Sequence, residues 1–84
     1  QGEHNVDKKF LRWLLFLVKY YAEEIDGKLR VMVPMSQDDM ANFLHVTRVS
    51  INKAISYFTK QDLIGRDGKY LIIHDVQAIK HALS

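Results

Sequence analysis

Apolar residues recur with helical spacing along the first quarter of the chain, which predicts a long helix from about Asp7 to Glu24. A second apolar stripe follows the same segment on another side of the helix. A helix that is apolar on two sides needs two partners. The second stripe therefore packs either against the rest of the domain or against a surface outside it. The main stripe comprises Phe10, Leu11, Leu14, Leu17, Val18 and Tyr21, and the second comprises Trp13, Phe16 and Tyr20.

The period then changes to the alternation that is typical of a β-strand. Asp26-Gly27 is a turn signal, and the segment after it, KLRVMVPM, alternates and contains β-branched residues. Pro34 near its end predicts an edge strand, because proline has no N–H to donate to a sheet. The first five residues, QGEHN, have no periodicity, and we expect a frayed end or a linker remnant there.

Two short amphipathic segments follow, separated by about three residues. Ser36 predicts the start of the first, since Ser36-Gln37-Asp38-Asp39 has the form of a capping box. Thr47 is a good N-cap for the second, which is predicted to extend to about Gln61. Two short helices joined by so short a turn have the spacing of a helix-turn-helix. The predicted buried faces are Met40, Phe43 and Leu44 in the first helix, and Ile51, Ala54, Ile55 and Phe58 in the second.

The last third of the chain predicts a hairpin and a final helix. Two runs of strand formers flank Asp67-Gly68 in LIGRDGKYLII, and Asp-Gly at that place favours a type I′ turn with positive φ at both residues. Asp75 is a predicted N-cap for a short helix in which Val76, Ile79 and Leu83 share a face. The predicted order is helix, strand, helix, helix, hairpin, helix. This is an α+β chain with the winged helix-turn-helix arrangement, and we interpret residues 1–84 as one domain.

Composition limits the function classes. With 84 residues the chain can bury one modest core, and its lack of cysteine excludes disulfides and thiolate metal sites. No segment has the length of a membrane span or the pattern of a secretory signal, so we expect a cytoplasmic protein with no membrane partner. The first residue is not methionine, which predicts an excised piece or a processed product. The histidines lack zinc-like spacing, so we expect no cofactor in this domain and interpret them as surface or capping residues: His4, His45, His74 and His81.

Charge is unevenly distributed. Residues 1–46 carry six Lys/Arg and seven Asp/Glu, a net charge of −1, whereas residues 47–84 carry six and three, a net charge of +3. The segment Thr47 to Lys60 contains Arg48, Lys53 and Lys60 and no acid. Such a segment fits either an anionic partner such as nucleic acid or a solvated basic face. Ser50 and Ser56 have no neighbouring base in a motif, so nothing supports an enzyme.

The segment MSQDDMANFLHVTRVSINKAISYFTKQDLIGRDGKYLIIHD resembles the C-terminal DNA-binding domain of the Crp/Fnr family of bacterial transcription regulators. NVDKKFLRWLLFLVKYYAEE is similar to the preceding helix in that family. Thr47, Arg48 and Lys53 fit the family's hydroxyl, arginine and final basic residue. The resemblance implies sequence-specific binding of double-stranded DNA. It places the contacts at Thr47, Arg48, Val49, Ser50, Asn52 and Lys53 in the second short helix, at Ser36 before the first, and at Arg66 and Lys69 beside the wing turn.

The resemblance also implies a larger protein and further partners. Members carry an N-terminal sensor domain that binds a small-molecule effector, form homodimers through a long helix, and act with RNA polymerase. For the wing residues Arg66 and Lys69 two interpretations stay open, since they either reach phosphates or only protect a hairpin edge. A winged-helix module that binds protein instead of DNA is the alternative function, and the acid-free basic helix favours DNA.

Two residues depart from the family pattern. His45 stands where the family usually has glycine, and histidine tolerates positive φ at a cost of about 1 kcal/mol. Val49 stands where the family usually has glutamate, and on a helical wheel it points away from the apolar face. Val49 either packs on the C5-methyl group of thymine in the major groove or packs against the preceding turn. This valine, VPMSQ and IKHAL also resemble the halophenol-responsive branch of the family.

Overall fold

The fold is known from a computed structural model that describes residues 2–84, with side chains from residue 5 onward. Helices and strands follow one another in the predicted order, with one additional strand. The elements are α1 (Gly2–Tyr21), β1 (Ala22–Ile25), β2 (Lys28–Val31), α2 (Gln37–Leu44), α3 (Arg48–Lys60), β3 (Ile64–Asp67), β4 (Tyr70–Ile73) and α4 (Val76–Leu83). The α+β, winged helix-turn-helix prediction is confirmed.

The limits of α1 differ from the prediction at both ends. The helix begins at Gly2, so most of the predicted frayed segment is helical, while Gln1 and the side chain of His4 lie outside the described residues. At the other end α1 stops at Tyr21, because Ala22–Ile25 pair with β2 as an antiparallel strand. The predicted end of α1 at Glu24 is therefore wrong. The pairing register joins Glu23 to Arg30, so a tertiary partner decides the conformation of this short acidic segment.

The four strands form one antiparallel sheet in the order β1-β2-β4-β3. Strand β2 ends at Val31, before Pro34, and lies between β1 and β4, so the predicted edge strand is wrong. The β1–β2 turn has positive φ at both Asp26 and Gly27, which is the type I′ pattern.

The wing hairpin, β3–β4, uses a different turn from the one predicted. Asp67 pairs with Tyr70, so the two loop residues are Gly68 and Lys69 and not Asp67-Gly68. Of these loop residues Gly68 alone has positive φ, at 63°. Glycine at the first loop position is characteristic of a type II′ turn, and the predicted type I′ turn is wrong here.

A single core lies between the helices and one face of the sheet. The ring of Phe10 in α1 stacks on Phe58 in α3 with 6.0 Å between centroids, which fixes α3 against α1. Asp75 caps α4 by accepting from the Ala78 N–H at 2.9 Å, as predicted. The most deeply buried side chains are Phe10, Leu14, Val31, Met40, Ile51, Ile64, Leu71, Ile73 and Ile79.

The second stripe of α1 separates into a buried and an exposed part. Trp13 is buried, whereas Phe16 and Tyr20 remain exposed. Tyr21 and Phe43 were predicted to be buried, but their side chains are 47% and 63% exposed. The reason is geometric, since both contribute to the rim of an open apolar groove of about 430 Å³ rather than to the core. The groove is lined by Trp13, Phe16, Leu17, Tyr21, Val33, Pro34, Met35, Asp39 and Phe43.

None of the helices in residues 2–84 has the length and apolar character needed to cross a membrane.

The capping box at the start of α2 is formed as predicted. The Ser36 hydroxyl accepts from the Asp39 N–H at 3.1 Å, and Asp39 Oδ2 accepts from the Ser36 N–H at 3.0 Å. The Ser36 backbone N–H and hydroxyl, with a smaller effect of the Lys69 charge, lower the pKa of the Asp39 carboxyl below its ordinary value. Folding therefore favours the ionised form of the Asp39 side chain.

Because folding lowers its pKa, the Asp39 carboxyl should make a pH-dependent contribution to the free energy of unfolding. A carboxyl whose pKa is lower in the folded state stabilises fully above its unfolded pKa of about 4, and the contribution is lost as pH falls through the folded value. We therefore expect the unfolding free energy of Asp39→Asn to fall less than that of wild type between about pH 6 and pH 3, measured by urea unfolding. Asp26→Asn makes the same charge change in an exposed turn. Identical pH profiles for the two variants would contradict the prediction.

Candidate nucleic-acid interface

The start of α3 is fixed by hydroxyl groups. Thr47 adopts an extended conformation, with φ −76° and ψ 156°, and its Oγ1 accepts from the Ser50 N–H at 3.0 Å. The Thr47 hydroxyl also donates to Ser50 Oγ at 2.9 Å. The N-cap predicted at Thr47 is confirmed. The two hydroxyls lie at the exposed end of α3, where the Thr47 side chain is already occupied by the cap.

The turn between α2 and α3 depends on His45. This residue adopts the left-handed conformation, with φ 59° and ψ 44°, as expected for a residue that replaces glycine. The Val46 N–H donates to the Ala41 carbonyl at 3.0 Å, which closes the end of α2. His45 therefore sets the angle at which α3 leaves α2.

The outward face of α3 is open. The side chain of Val49 is 64% exposed, which does not fit the alternative in which it packs against the preceding turn. An open hollow of about 450 Å³ lies along this face. Toward the end of α3 this face continues through Ser56 and Lys60, which the helical wheel also places on the side of Val49. The hollow is lined by Val49, Asn52, Lys53, Ser56, Tyr57 and Lys60.

Tyr57 was not among the predicted site residues. Its side chain is 52% exposed and lines the hollow beside Lys53. It also lines a second cleft of about 250 Å³, which α3 forms with Val6 and Asp7 of α1. Tyr57 lies four residues after Lys53 and eight residues after Val49, which places the three side chains on one helical face. Helical spacing in the sequence therefore already indicated that Tyr57 belongs to this face.

The remaining predicted residues of α3 differ in their surroundings. Arg48 Nη1 lies 3.4 Å from Asp38 Oδ1, and both side chains are largely exposed. Lys53 is exposed between the two hollows. Asn52 is half-buried, and its Oδ1 has no hydrogen-bond partner within the part of the chain that the structure describes. The structure therefore brings Val49, Asn52 and Lys53 together on one face, with Arg48 at its edge.

The wing is bonded to the loop that precedes α2. Arg66 Nη2 donates to the Met35 carbonyl at 2.9 Å, and the Met35 N–H donates to the Lys69 carbonyl at 2.8 Å. Burial lowers the pKa of the Arg66 guanidinium, although arginine remains charged. Arg66 thus points into the domain, whereas the Lys69 side chain stays exposed at the wing turn. Ser36, which follows Met35, lies in the same region with its hydroxyl engaged in the capping box.

The histidines occupy structural positions where their side chains are described. His45 ends α2, His74 Nδ1 lies 3.1 Å from Asp62 Oδ1, and His81 lies in the last turn of α4. Among the side chains of residues 5–84, no group of three or more histidine or acidic residues is placed to hold a metal ion.

A short helix, a tight turn and a second helix with an open basic face, followed by a hairpin bonded to the loop before the first helix, define a winged helix-turn-helix DNA-binding domain. Residues 8–82 match the Crp-like helix-turn-helix domain family, and the chain belongs to that family. Its function is therefore DNA binding in transcription regulation.

Two further comparisons agree with this assignment. The chain is 27% identical over 75 residues to a CRP-like cAMP-activated global transcriptional regulator of Mycobacterium tuberculosis, a match that covers 89% of this chain and 34% of the relative. The chain thus spans about a third of the length of that relative.

Solved structures with the same fold include CprK and CooA. Oxidized CprK in complex with o-chlorophenolacetic acid superposes with a TM-score of 0.84 at 15% identity, over 95% of this chain and 34% of CprK. The CO-dependent transcription factor CooA from Carboxydothermus hydrogenoformans gives a TM-score of 0.85 at 16% identity, over 93% and 36%. At such identities the likeness concerns the fold.

Proposed function

We propose that this domain binds one half-site of a two-fold symmetric operator, with α3 in the major groove. The observation that carries the proposal is the outward face of α3, which is open, contains Lys53 and Lys60 with Arg48 at its edge, and has no acid between Thr47 and Lys60. Recognition helices of this class read base edges with residues near their N-terminus. Val49, Asn52 and Lys53 have that position and share that face.

Val49 is proposed to read a thymine. An exposed apolar side chain near the start of a recognition helix can pack on the thymine C5-methyl group, which protrudes into the major groove. With Val49 in the usual glutamate position, the chain cannot accept a hydrogen bond from a cytosine amino group there. The half-site of this protein should therefore differ from the usual one of the family at that base pair.

The other residues are proposed to contact the base edges and the DNA backbone. Asn52 and Lys53 lie beside Val49 on the open face, where they can reach base edges, while Arg48 lies at its edge. Lys69 at the wing turn and Ser36 before α2, which lie in the same region, are proposed to meet phosphates beside α3. Thr47 and Ser50 present hydroxyls at the end of α3 that enters the groove.

The intact protein is proposed to be an effector-responsive regulator. The relatives are about three times as long as this chain and, by their descriptions, respond to cAMP or CO, while CprK was solved with o-chlorophenolacetic acid. We infer an additional sensor domain that binds a small molecule, a homodimer that presents two copies of α3, contact with RNA polymerase, and a cytoplasmic location. Two half-sites about 34 Å apart suit such a dimer.

The test is Val49→Glu, with base preference measured by selection of bound sites from random duplex DNA. Glutamate accepts from cytosine N4 and has nothing to donate to thymine O4, so preference at one base pair should move from T·A to C·G. The expected discrimination is about 1–3 kcal/mol, as for a good specific contact. Val33→Glu makes the same change at an exposed valine outside α3 and should leave the preference unchanged.

Stability is measured on the same variants. An exposed substitution usually changes the unfolding free energy by about 0.5 kcal/mol or less, so Val49→Glu should melt close to wild type. A folded Val49→Glu variant with an unchanged base preference would contradict the thymine contact. Arg48, Asn52 and Lys53 would then remain as the candidate base readers.

A further inference from the structure

The recognition helix begins beside a carboxylate from the neighbouring helix. Arg48, the first residue of α3, places Nη1 3.4 Å from Oδ1 of Asp38, in the first turn of α2. Both side chains are mostly exposed, at 62% and 63%. Asp39 is the second acid of this turn, and it is held by Ser36 in the capping box. The cation at the edge of the DNA-binding surface therefore already faces an anion in the free domain.

The location of this carboxylate matters because a helix N-terminus attracts anions. Its free N–H groups and the helix dipole favour phosphate as much as they favour aspartate. In the proposed complex the start of α2 lies near the DNA backbone. The negatively charged Asp38 therefore occupies the position at this helix N-terminus that a phosphate would otherwise take. Arg48 then has two competing anionic partners, the carboxylate of Asp38 and the DNA.

We propose that Asp38 competes with DNA for Arg48 and thereby holds the affinity of this domain for DNA below what its basic face would give. This proposal rests on the proposed DNA-binding function. Binding of DNA has to separate Arg48 from Asp38, and the released carboxylate then repels nearby phosphates. Asp38 is thus an affinity-limiting residue for the interface.

The geometry favours competition over an orienting role. An aspartate that orients an arginine for base recognition makes short, paired hydrogen bonds of about 2.7–2.9 Å. The Asp38–Arg48 contact is longer, at 3.4 Å, and both of its side chains are mostly exposed to water. Such a contact is weak enough for DNA to displace.

The experiment measures the affinity of the domain for duplex DNA that carries its selected half-site. Asp38→Asn should bind about two- to fivefold more tightly at low salt, the range expected for an exposed ion pair. Glu24→Gln makes the same change in net charge on β1, outside the DNA-binding surface, and should have a smaller effect. Thermal unfolding of each variant checks that the fold is retained.

The contribution of Arg48 is tested by repeating the change in the Arg48→Ala background. If Asp38 acts by holding Arg48, the gain from Asp38→Asn should be smaller there than in the wild-type background, where that contact exists. Weaker binding of a folded Asp38→Asn variant would overturn the proposal and favour an orienting role. An equal gain in both backgrounds would also overturn it. Failure of the wild-type domain to bind any duplex DNA would instead refute the proposed function.

Discussion

Binding of this domain to duplex DNA should weaken steeply as salt increases. Each phosphate that a lysine or arginine neutralises releases counterions, so log K falls against log salt with a slope of about −0.9 per phosphate. If Arg48, Lys53, Lys60 and Lys69 each contact one phosphate, the slope is about −3.6, and affinity falls roughly 150-fold between about 50 and 200 mM salt. The measurement is a titration of the domain into labelled duplex at several salt concentrations.

Matched lysine variants locate the contacts. Lys60→Gln removes a cation from the face of α3, so the slope should become less steep by about 0.9. Lys80→Gln removes a cation from α4 and should leave the slope unchanged. Affinity that is flat across salt concentration would contradict the DNA-binding interpretation and favour a module that binds protein.

Phe10→Ala should destabilise the domain by about 3–5 kcal/mol, the usual cost of removing a buried ring. Phe10 is fully buried, its ring stacks on Phe58 of α3, and it also lies 6.2 Å from the ring of Trp13. The removed ring leaves a cavity between α1 and the recognition helix. For a domain of this size the melting temperature should fall by at least about 12 °C, measured by circular dichroism.

Phe16→Ala is the matched control, because it removes the same ring from the same helix. Phe16 is 45% exposed and contacts Tyr20 and Tyr21 at the rim of the apolar groove. Its loss should cost about 1 kcal/mol or less. Equal destabilisation by the two variants would mean that the groove, and not the α1–α3 contact, is a main source of stability.

Periodicity predicted the parts of the fold that local sequence controls. The N-caps at Ser36, Thr47 and Asp75 form as expected, because an aspartate or hydroxyl side chain close to its own backbone needs no distant partner. The buried face of α3 follows from its spacing. Strand β1 could not be predicted this way, because Ala22–Ile25 is acidic and becomes a strand through pairing with β2.

The residues of the candidate site differ in how far the sequence alone predicted their positions. The exposure of Val49 follows from the helical wheel, since its direction is fixed by spacing within one helix. The inward course of Arg66 depends on the Met35 carbonyl, which comes from a loop 31 residues away in the chain. The Asp38–Arg48 contact depends on the angle set by His45 between two helices. Such contacts require the tertiary arrangement, and the sequence pattern alone does not contain it.

The bonds between the wing and the loop before α2 have a mechanical consequence. Met35 accepts from Arg66 and donates to the Lys69 carbonyl, so the hairpin cannot swing away from the start of α2 without breaking both bonds. The wing and the helix pair therefore turn together as one rigid body. If the proposed homodimer forms, its DNA binding is controlled by the distance and tilt between two such bodies, while the surface that meets each half-site keeps one shape.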